Sequence, residues 1–136
     1  MKRTSTAVWN GSGKEGSGHL TTPTKLLDKS PYSWSSRFAE GTGTNPEELL
    51  AAAHAGCFSM KLSFILGTAG FTPEMIETSC TVNIDNGTID SSHLVLKAKV
   101  PGITNEKFQE CANEAKATCP VSKALSVAIT LEASLV

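Results

Sequence analysis

Four cysteines, Cys57, Cys80, Cys111 and Cys119, are the strongest nucleophiles and metal ligands in this 136-residue sequence. Cys119 immediately precedes Pro120, so it stands at or beside a helix N-terminus, where the dipole and free N–H groups favour a thiolate. Cys57 lies in the middle of an apolar run, and burial there raises a thiol's pKa. It is either core filler or a reactive thiol that requires a nearby cation. Two cations present themselves: Arg37, and His54 three residues before Cys57. Arginine suits the task better, because it stays charged and its planar fork can hydrogen-bond an oxygen of a bound substrate. It needs a counter-charge of its own, which Glu47 or Glu48 can supply. A rival zinc set of His54, Cys57, Cys119 and a carboxylate lacks a second paired spacing, and His54 reads more simply as a satisfied interior histidine. Cys80 and Cys111 occupy apolar positions of their own patterns and read as small buried hydrophobes. His19 and His93 fall at polar positions, with no role assigned.

The elements that must position these side chains follow from periodicity. The first 30 residues are rich in Gly, Ser and Thr and predict short strands and turns. Residues 31–40 alternate, with Tyr32, Trp34 and Phe38 on one side of an expected strand and Ser33, Ser35, Arg37 and Ala39 on the other. Asn45-Pro46-Glu47-Glu48 then writes a helix start: a capping Asn, Pro at the first position and acids in the first turn. The helix, expected over 46–66, has almost no polar face and must be buried nearly all round. It is shorter than the roughly 20 apolar residues of a membrane span and contains His54 and Lys61. A domain this small cannot surround a whole helix with its own chain, so a second subunit is expected to supply one wall. Glu47 and Cys57 are ten residues apart, about 15 Å along one helix. A site containing both therefore takes Glu47 from the second subunit.

Farther on, Ile76, Thr78, Cys80, Val82 and Ile84 line one face of a strand, Asn86-Gly87 turns the chain, and Leu94, Leu96, Ala98 and Val100 line the next. Thr104 caps a helix bearing Phe108, Cys111, Ala112 and Ala115 on one face and ending near Thr118. Pro120 opens a short helix to about Leu125, and Val127, Ile129, Leu131 and Leu135 mark a last strand. Strands and helices in this mixed order predict one α+β domain over 1–136.

Composition narrows the function classes. Twelve basic against thirteen acidic residues give a net charge of -1, with no positive excess to bind nucleic acid or an anionic membrane. There is no Gly-rich phosphate loop, His-Glu-x-x-His, Gly-x-Ser-x-Gly or Cys-x-x-Cys, so nucleotide binding, zinc proteolysis and elbow-type hydrolysis lack support. The N-terminus carries no apolar run of the kind a secretory signal needs. A cytoplasmic chain is expected, and its cysteines are then not a disulfide framework.

The run from Gly43-Thr44-Asn45-Pro46-Glu47-Glu48 through His54-Ala55-Gly56-Cys57-Phe58-Ser59-Met60 closely resembles the first-cysteine motif of the OsmC/Ohr family, the osmotically inducible protein C and organic hydroperoxide resistance proteins. Cys119-Pro120-Val121-Ser122-Lys123-Ala124-Leu125 resembles its second-cysteine motif. With Arg37-Phe38 and the order of elements, the likeness covers nearly the whole chain. His54 followed by Ala-Gly-Cys-Phe-Ser-Met is more similar to the OsmC branch; Gly56 stands where Ala is usual, and the first 30 residues match poorly. The resemblance implies an α+β fold of antiparallel sheets around a long buried central helix, in an intertwined homodimer with its sites at the subunit interface. It implies a thiol peroxidase, active in oxidative or osmotic stress, in which Cys57 is oxidised by an organic hydroperoxide and Cys119 resolves the sulfenic acid to a disulfide. Arg37 would hold the thiolate and polarise the peroxide, and Glu47 would orient Arg37. The reductant implied is a dithiol such as a lipoylated protein or dihydrolipoamide, with thioredoxin as the alternative, and no bound cofactor is implied. Phe58, Met60, Trp34 and Tyr32 are expected to form an apolar substrate pocket. The competing reading is a dimeric thiol sensor or apolar-ligand-binding domain without turnover.

Overall fold

A computed structural model describes every residue, Met1–Val136. Its backbone divides into two compact units, Met1–Leu49 and Leu50–Val136.

The first unit holds three short strands, β1 (Thr6–Asn10), β2 (Ser17–Thr21) and β3 (Ser30–Ser33), antiparallel in that order. The strand expected over 31–40 stops at Ser33, and Trp34–Phe38 forms a short helix, α1. The reason is local. Ser33 accepts from the Ser36 N–H at 3.1 Å, while the Ser33 N–H donates to Ser36 Oγ at 2.8 Å. This capping box satisfies two donors at once and outweighs a weak alternation of aromatic residues. Arg37 consequently lies on a helix, its guanidinium carbon 5.1 Å from the Phe38 ring centre, and not on a strand face opposite the aromatics. The chain returns through Gly43 at φ +102, where a Cβ would lie 2.1 Å from the Pro31 carbonyl oxygen; only glycine fits there.

Helix α2, Pro46–Thr68, begins as its sequence indicates, with Asn45 Oδ1 accepting the Glu48 N–H at 2.8 Å. It ends two residues later than expected, beside Gly70 in the left-handed region, where the Phe71 N–H closes on the Leu66 carbonyl. The all-round burial expected of it is not found within one chain. Phe58, Leu62 and Leu66, four residues apart, are fully buried, whereas Met60 and Phe64 are 66% and 70% exposed. The helix is long and apolar enough to cross a membrane by length and composition, but its buried stripe belongs to the core of the second unit.

That core is built on a hairpin of β4 (Met75–Asp85) and β5 (Thr88–Lys99). Asn86 and Gly87 both adopt positive φ, as the two-residue turn requires. Helices α3 (Asn105–Thr118) and α4 (Pro120–Ala124) follow, then β6 (Ala128–Leu135). β6 pairs with β5 in parallel, so the sheet β4-β5-β6 is mixed where antiparallel pairing was expected. The two helices between β5 and β6 form a crossover that returns the chain in the same direction. Phe58, Leu62 and Leu66 of α2 join Leu94, Leu96 and Ala98 of β5 and Phe108, Cys111, Ala112 and Ala115 of α3 in one cluster. Each large side chain buried there contributes about 1.5–3 kcal/mol. Cys111 is core filler, as its place in the pattern indicates.

Candidate active site

A charged pair lies in the first unit. The capping box sets α1 and with it Arg37; the first turn of α2 sets Glu47. Arg37 Nε donates to Glu47 Oε1 at 2.9 Å, and Nη2 lies 2.8 Å from the same oxygen. Glu47 is buried, and its second oxygen, Oε2, has no partner. Beside the pair is a cavity of about 240 Å³ lined by Trp9, Tyr32, Trp34, Arg37, Phe38 and Pro46.

Two of the cysteines lie together in the second unit. Cys57, half-buried on α2, opens onto a cavity of about 200 Å³ lined also by Met60, Lys61, Phe64 and Pro120. Cys119 is fully buried where α3 hands over to α4, its N–H bonded to the Ala115 carbonyl and its own carbonyl accepting the Lys123 N–H. The two thiols are free, and each shifts the ionisation of the other. Burial, then the bond to Cys119, pushes the Cys57 thiol above its ordinary value, and the Val121 N–H and the Lys61 charge only partly offset this. Burial also opposes ionisation of Cys119, but the Cys57 thiol, the Ser122 N–H and hydroxyl and the Val121 N–H prevail and hold it below its ordinary value. Within one chain Cys119 is thus the more acidic of the pair, and Cys57 requires a further cation to react as a thiolate.

His54 is fully buried one turn before Cys57. Its Nδ1 lies 2.7 Å from Ser92 Oγ and its Nε2 2.8 Å from Ser122 Oγ. Both ring nitrogens are therefore spent on hydroxyls, and burial holds the ring neutral by lowering its pKa. The rival zinc set does not assemble: no three His, Cys, Asp or Glu side chains gather to hold an ion. Cys80 is half-buried beside this cluster, 3.2 Å from Ser92 Oγ. His93 bonds Thr130 on the surface, and His19 lies on β2 of the first unit.

Of the expected pocket residues, Met60 joins Cys57 and the pair Tyr32 and Trp34 join Arg37, but Phe58 lies in the core and lines neither cavity. Three contributors escape a reading of the sequence. Lys61, four residues after Cys57 and so on its helix face, was legible from spacing alone. Ser92 and Ser122 were not, because they reach His54 from β5 and α4 across 38 and 68 residues of chain.

A family model described as OsmC-like protein matches residues 39–134. The chain is 44% identical to the Peroxiredoxin OsmC of Escherichia coli (strain K12) over 135 residues, 95% of this chain and 93% of that protein. It is 32% identical to the organic hydroperoxide resistance protein OhrB of Bacillus subtilis (strain 168) over 111 residues, 79% of this chain and 80% of that one. The crystal structure of OhrB from Bacillus subtilis matches at TM-score 0.67 and 29% identity, covering 96% of this chain and 98% of the other. An OsmC-like protein from Mycoplasma pneumoniae matches at TM-score 0.78 over 100% of this chain and 98% of its own, at 15% identity, a likeness of fold.

Proposed function

The chain belongs to the OsmC-like family and is a cysteine-based peroxidase, and from that premise we propose that it reduces organic hydroperoxides through Cys57, with Cys119 as the resolving thiol. One observation carries the assignment of roles. Cys57 lines an apolar cavity, while Cys119 is fully buried in the core cluster against which Cys57 packs. A hydroperoxide entering that cavity meets Cys57 first.

In the proposed cycle the Cys57 thiolate attacks the terminal oxygen of the hydroperoxide. The O–O bond breaks, Cys57 becomes a sulfenic acid, and the alkoxide takes a proton and leaves as the alcohol. Cys119 sulfur then bonds to Cys57 sulfur, expelling hydroxide, which leaves as water. A dithiol reductant, a lipoylated protein or dihydrolipoamide in preference to thioredoxin, returns two electrons by disulfide exchange. The apolar lining of Met60, Phe64 and Pro120 favours alkyl over hydrogen peroxide.

Homodimerisation completes the site in this reading. Met60 and Phe64 leave an apolar face of α2 uncovered, which a second copy would bury. Arg37 and Glu47 of the partner subunit would supply the cation that Cys57 needs, Glu47 fixing the guanidinium and Arg37 stabilising thiolate and peroxide oxygen together. Residues 1–136 act as one functional domain, in the cytoplasm, under oxidative or osmotic stress.

The test is a peroxidase assay with cumene hydroperoxide and dihydrolipoamide on the wild type, Cys57→Ser and Cys119→Ser. Expected are turnover in the wild type, none in Cys57→Ser, and in Cys119→Ser a sulfenic acid that forms but yields no intramolecular disulfide. Full turnover in Cys57→Ser would remove the assignment, and equal rates with hydrogen peroxide would remove the substrate preference.

A further inference from the structure

His54 is the buried ionisable group to which the proposed cycle gives no part. It belongs to a chain of contacts that ends on the resolving thiol. Cys80 Sγ lies 3.2 Å from Ser92 Oγ, Ser92 Oγ 2.7 Å from His54 Nδ1, and His54 Nε2 2.8 Å from Ser122 Oγ. Ser92 and Ser122 are themselves buried. Ser122 stands three residues after Cys119 in the turn closed by the Lys123 N–H on the Cys119 carbonyl, and its hydroxyl is among the groups that hold the Cys119 thiol below its ordinary pKa.

A neutral imidazole donates from one nitrogen and accepts at the other. Were the proton on Nδ1, the Ser122 hydrogen would be drawn to Nε2, and the hydroxyl could only accept from Cys119, favouring the thiol. With the proton on Nε2, Ser122 accepts from His54 and turns its own hydrogen onto the Cys119 sulfur, favouring the thiolate. The far end of the chain selects between them. Thioether and thiol sulfurs are weak acceptors, so the Ser92 hydrogen goes to His54 Nδ1 and the Cys80 S–H donates to Ser92.

We propose that His54 is a positioning residue for Cys119: held as its Nε2–H tautomer by Ser92, it turns the Ser122 hydroxyl towards the Cys119 sulfur and so readies that sulfur to resolve Cys57. The role rests on the reading of Cys119 as the resolving thiol. In that step the Cys119 electron pair forms the S–S bond, the Cys57 S–O bond breaks, and the hydroxide released is neutralised by the proton that Cys119 gave to solvent on ionising; no proton passes through His54. When the dithiol cleaves the disulfide, Cys119 departs as a thiolate to the same hydroxyl, which improves it as a leaving group.

Two measurements test this on the full chain. Nitrogen-15 NMR of the imidazole in the reduced wild type is expected to find Nε2 protonated and Nδ1 bare; the Nδ1–H tautomer, or an imidazolium at neutral pH, overturns the proposal without any substitution in the core. The second is the ultraviolet titration of the Cys119 thiolate. Cys57 on α2 is the titratable group facing Cys119, and Lys61 acts on Cys57, so the titration is run in Cys57→Ser. Adding Ser122→Ala is expected to raise the midpoint by about 1–2 pH units, the worth of a hydrogen bond to a charged acceptor. Ser122→Thr, which keeps the hydroxyl, restores it. His54→Gln, whose amide N–H can stand in for Nε2–H, keeps the midpoint near that of the parent, whereas His54→Asn raises it. An unmoved midpoint in Ser122→Ala, or no difference between His54→Gln and His54→Asn, overturns the relay. Failure of the peroxidase reading itself appears elsewhere, as a Cys57 that cumene hydroperoxide leaves unoxidised, and changes neither readout.

Discussion

Glu47 offers one carboxylate oxygen to both Nε and Nη2 of Arg37 and keeps Oε2 buried without a partner. An acceptor so placed holds the guanidinium but retains capacity for another donor. Glu47→Gln removes the charge while preserving the shape, so it is expected to cost about 1 kcal/mol of stability, because Arg37 is partly exposed to solvent. Its effect on catalysis should be larger, lowering kcat/KM at least tenfold by loosening Arg37, with stopped-flow oxidation of Cys57 as the readout. At the same scale, burial lowers the His54 pKa below its ordinary 6.5. The unfolded chain then binds a proton that the folded chain refuses, so stability is present above 6.5 and is lost as pH falls below it. Thermal unfolding between about pH 7 and 5 should show a steeper loss of Tm in the wild type than in His54→Gln, since the other histidines are common to both.

Among the elements, α1 is a five-residue helix whose existence depends on two serines. Ser36 Oγ accepts from the Ser33 N–H and bonds the Ser33 and Thr44 carbonyls, tying the helix to the segment that opens α2. Ser36→Ala is expected to cost about 1 kcal/mol in urea unfolding, the usual worth of a cap. It should also depress peroxidase kcat, because Arg37 and Glu47 sit on the two elements it joins; a loss of stability without any change in rate would mean that α1 is held by other contacts. Helix α2 has the opposite character. Its stripe of Phe58, Leu62 and Leu66 is locked into the core while Met60 and Phe64 stand in solvent, so one helix presents a folding face and an exposed apolar face, the one proposed to meet a second copy.

For the whole molecule, the proposed site takes its thiols from one subunit and its Arg–Glu pair from the other, which mixing can decide. Arg37→Ala and Cys57→Ser are each expected to be inactive. Unfolded together and refolded as a mixture, half of their dimers would be hybrids with one intact site in two, so about a quarter of wild-type activity should return. A site made within one chain would recover nothing. Sedimentation equilibrium on the same samples measures the dimer directly.

Local chemistry made much of this protein legible in the sequence. Asn45 and Pro46 fix the start of α2, Asn86-Gly87 turns the hairpin, Thr104 caps α3, and the alternation of Leu94, Leu96 and Ala98 marks a buried strand, because each signal is complete within a few residues. The two cysteine motifs carried the family for the same reason. Where two local signals competed, as aromatic alternation against the Ser33–Ser36 box, the hydrogen bonds won and a helix replaced the expected strand. Only the tertiary structure decided the remainder. The parallel pairing of β6 depends on a crossover through two helices, the ordering of the two thiols' acidity on the donors of Val121 and Ser122 that offset the burial of Cys119, and the partners of His54 on strands and helices brought together from distant parts of the chain. Contacts of that kind leave no periodicity behind, since nothing in the spacing of Ser92 or Ser122 distinguishes a hydroxyl that faces a buried imidazole from one that faces water.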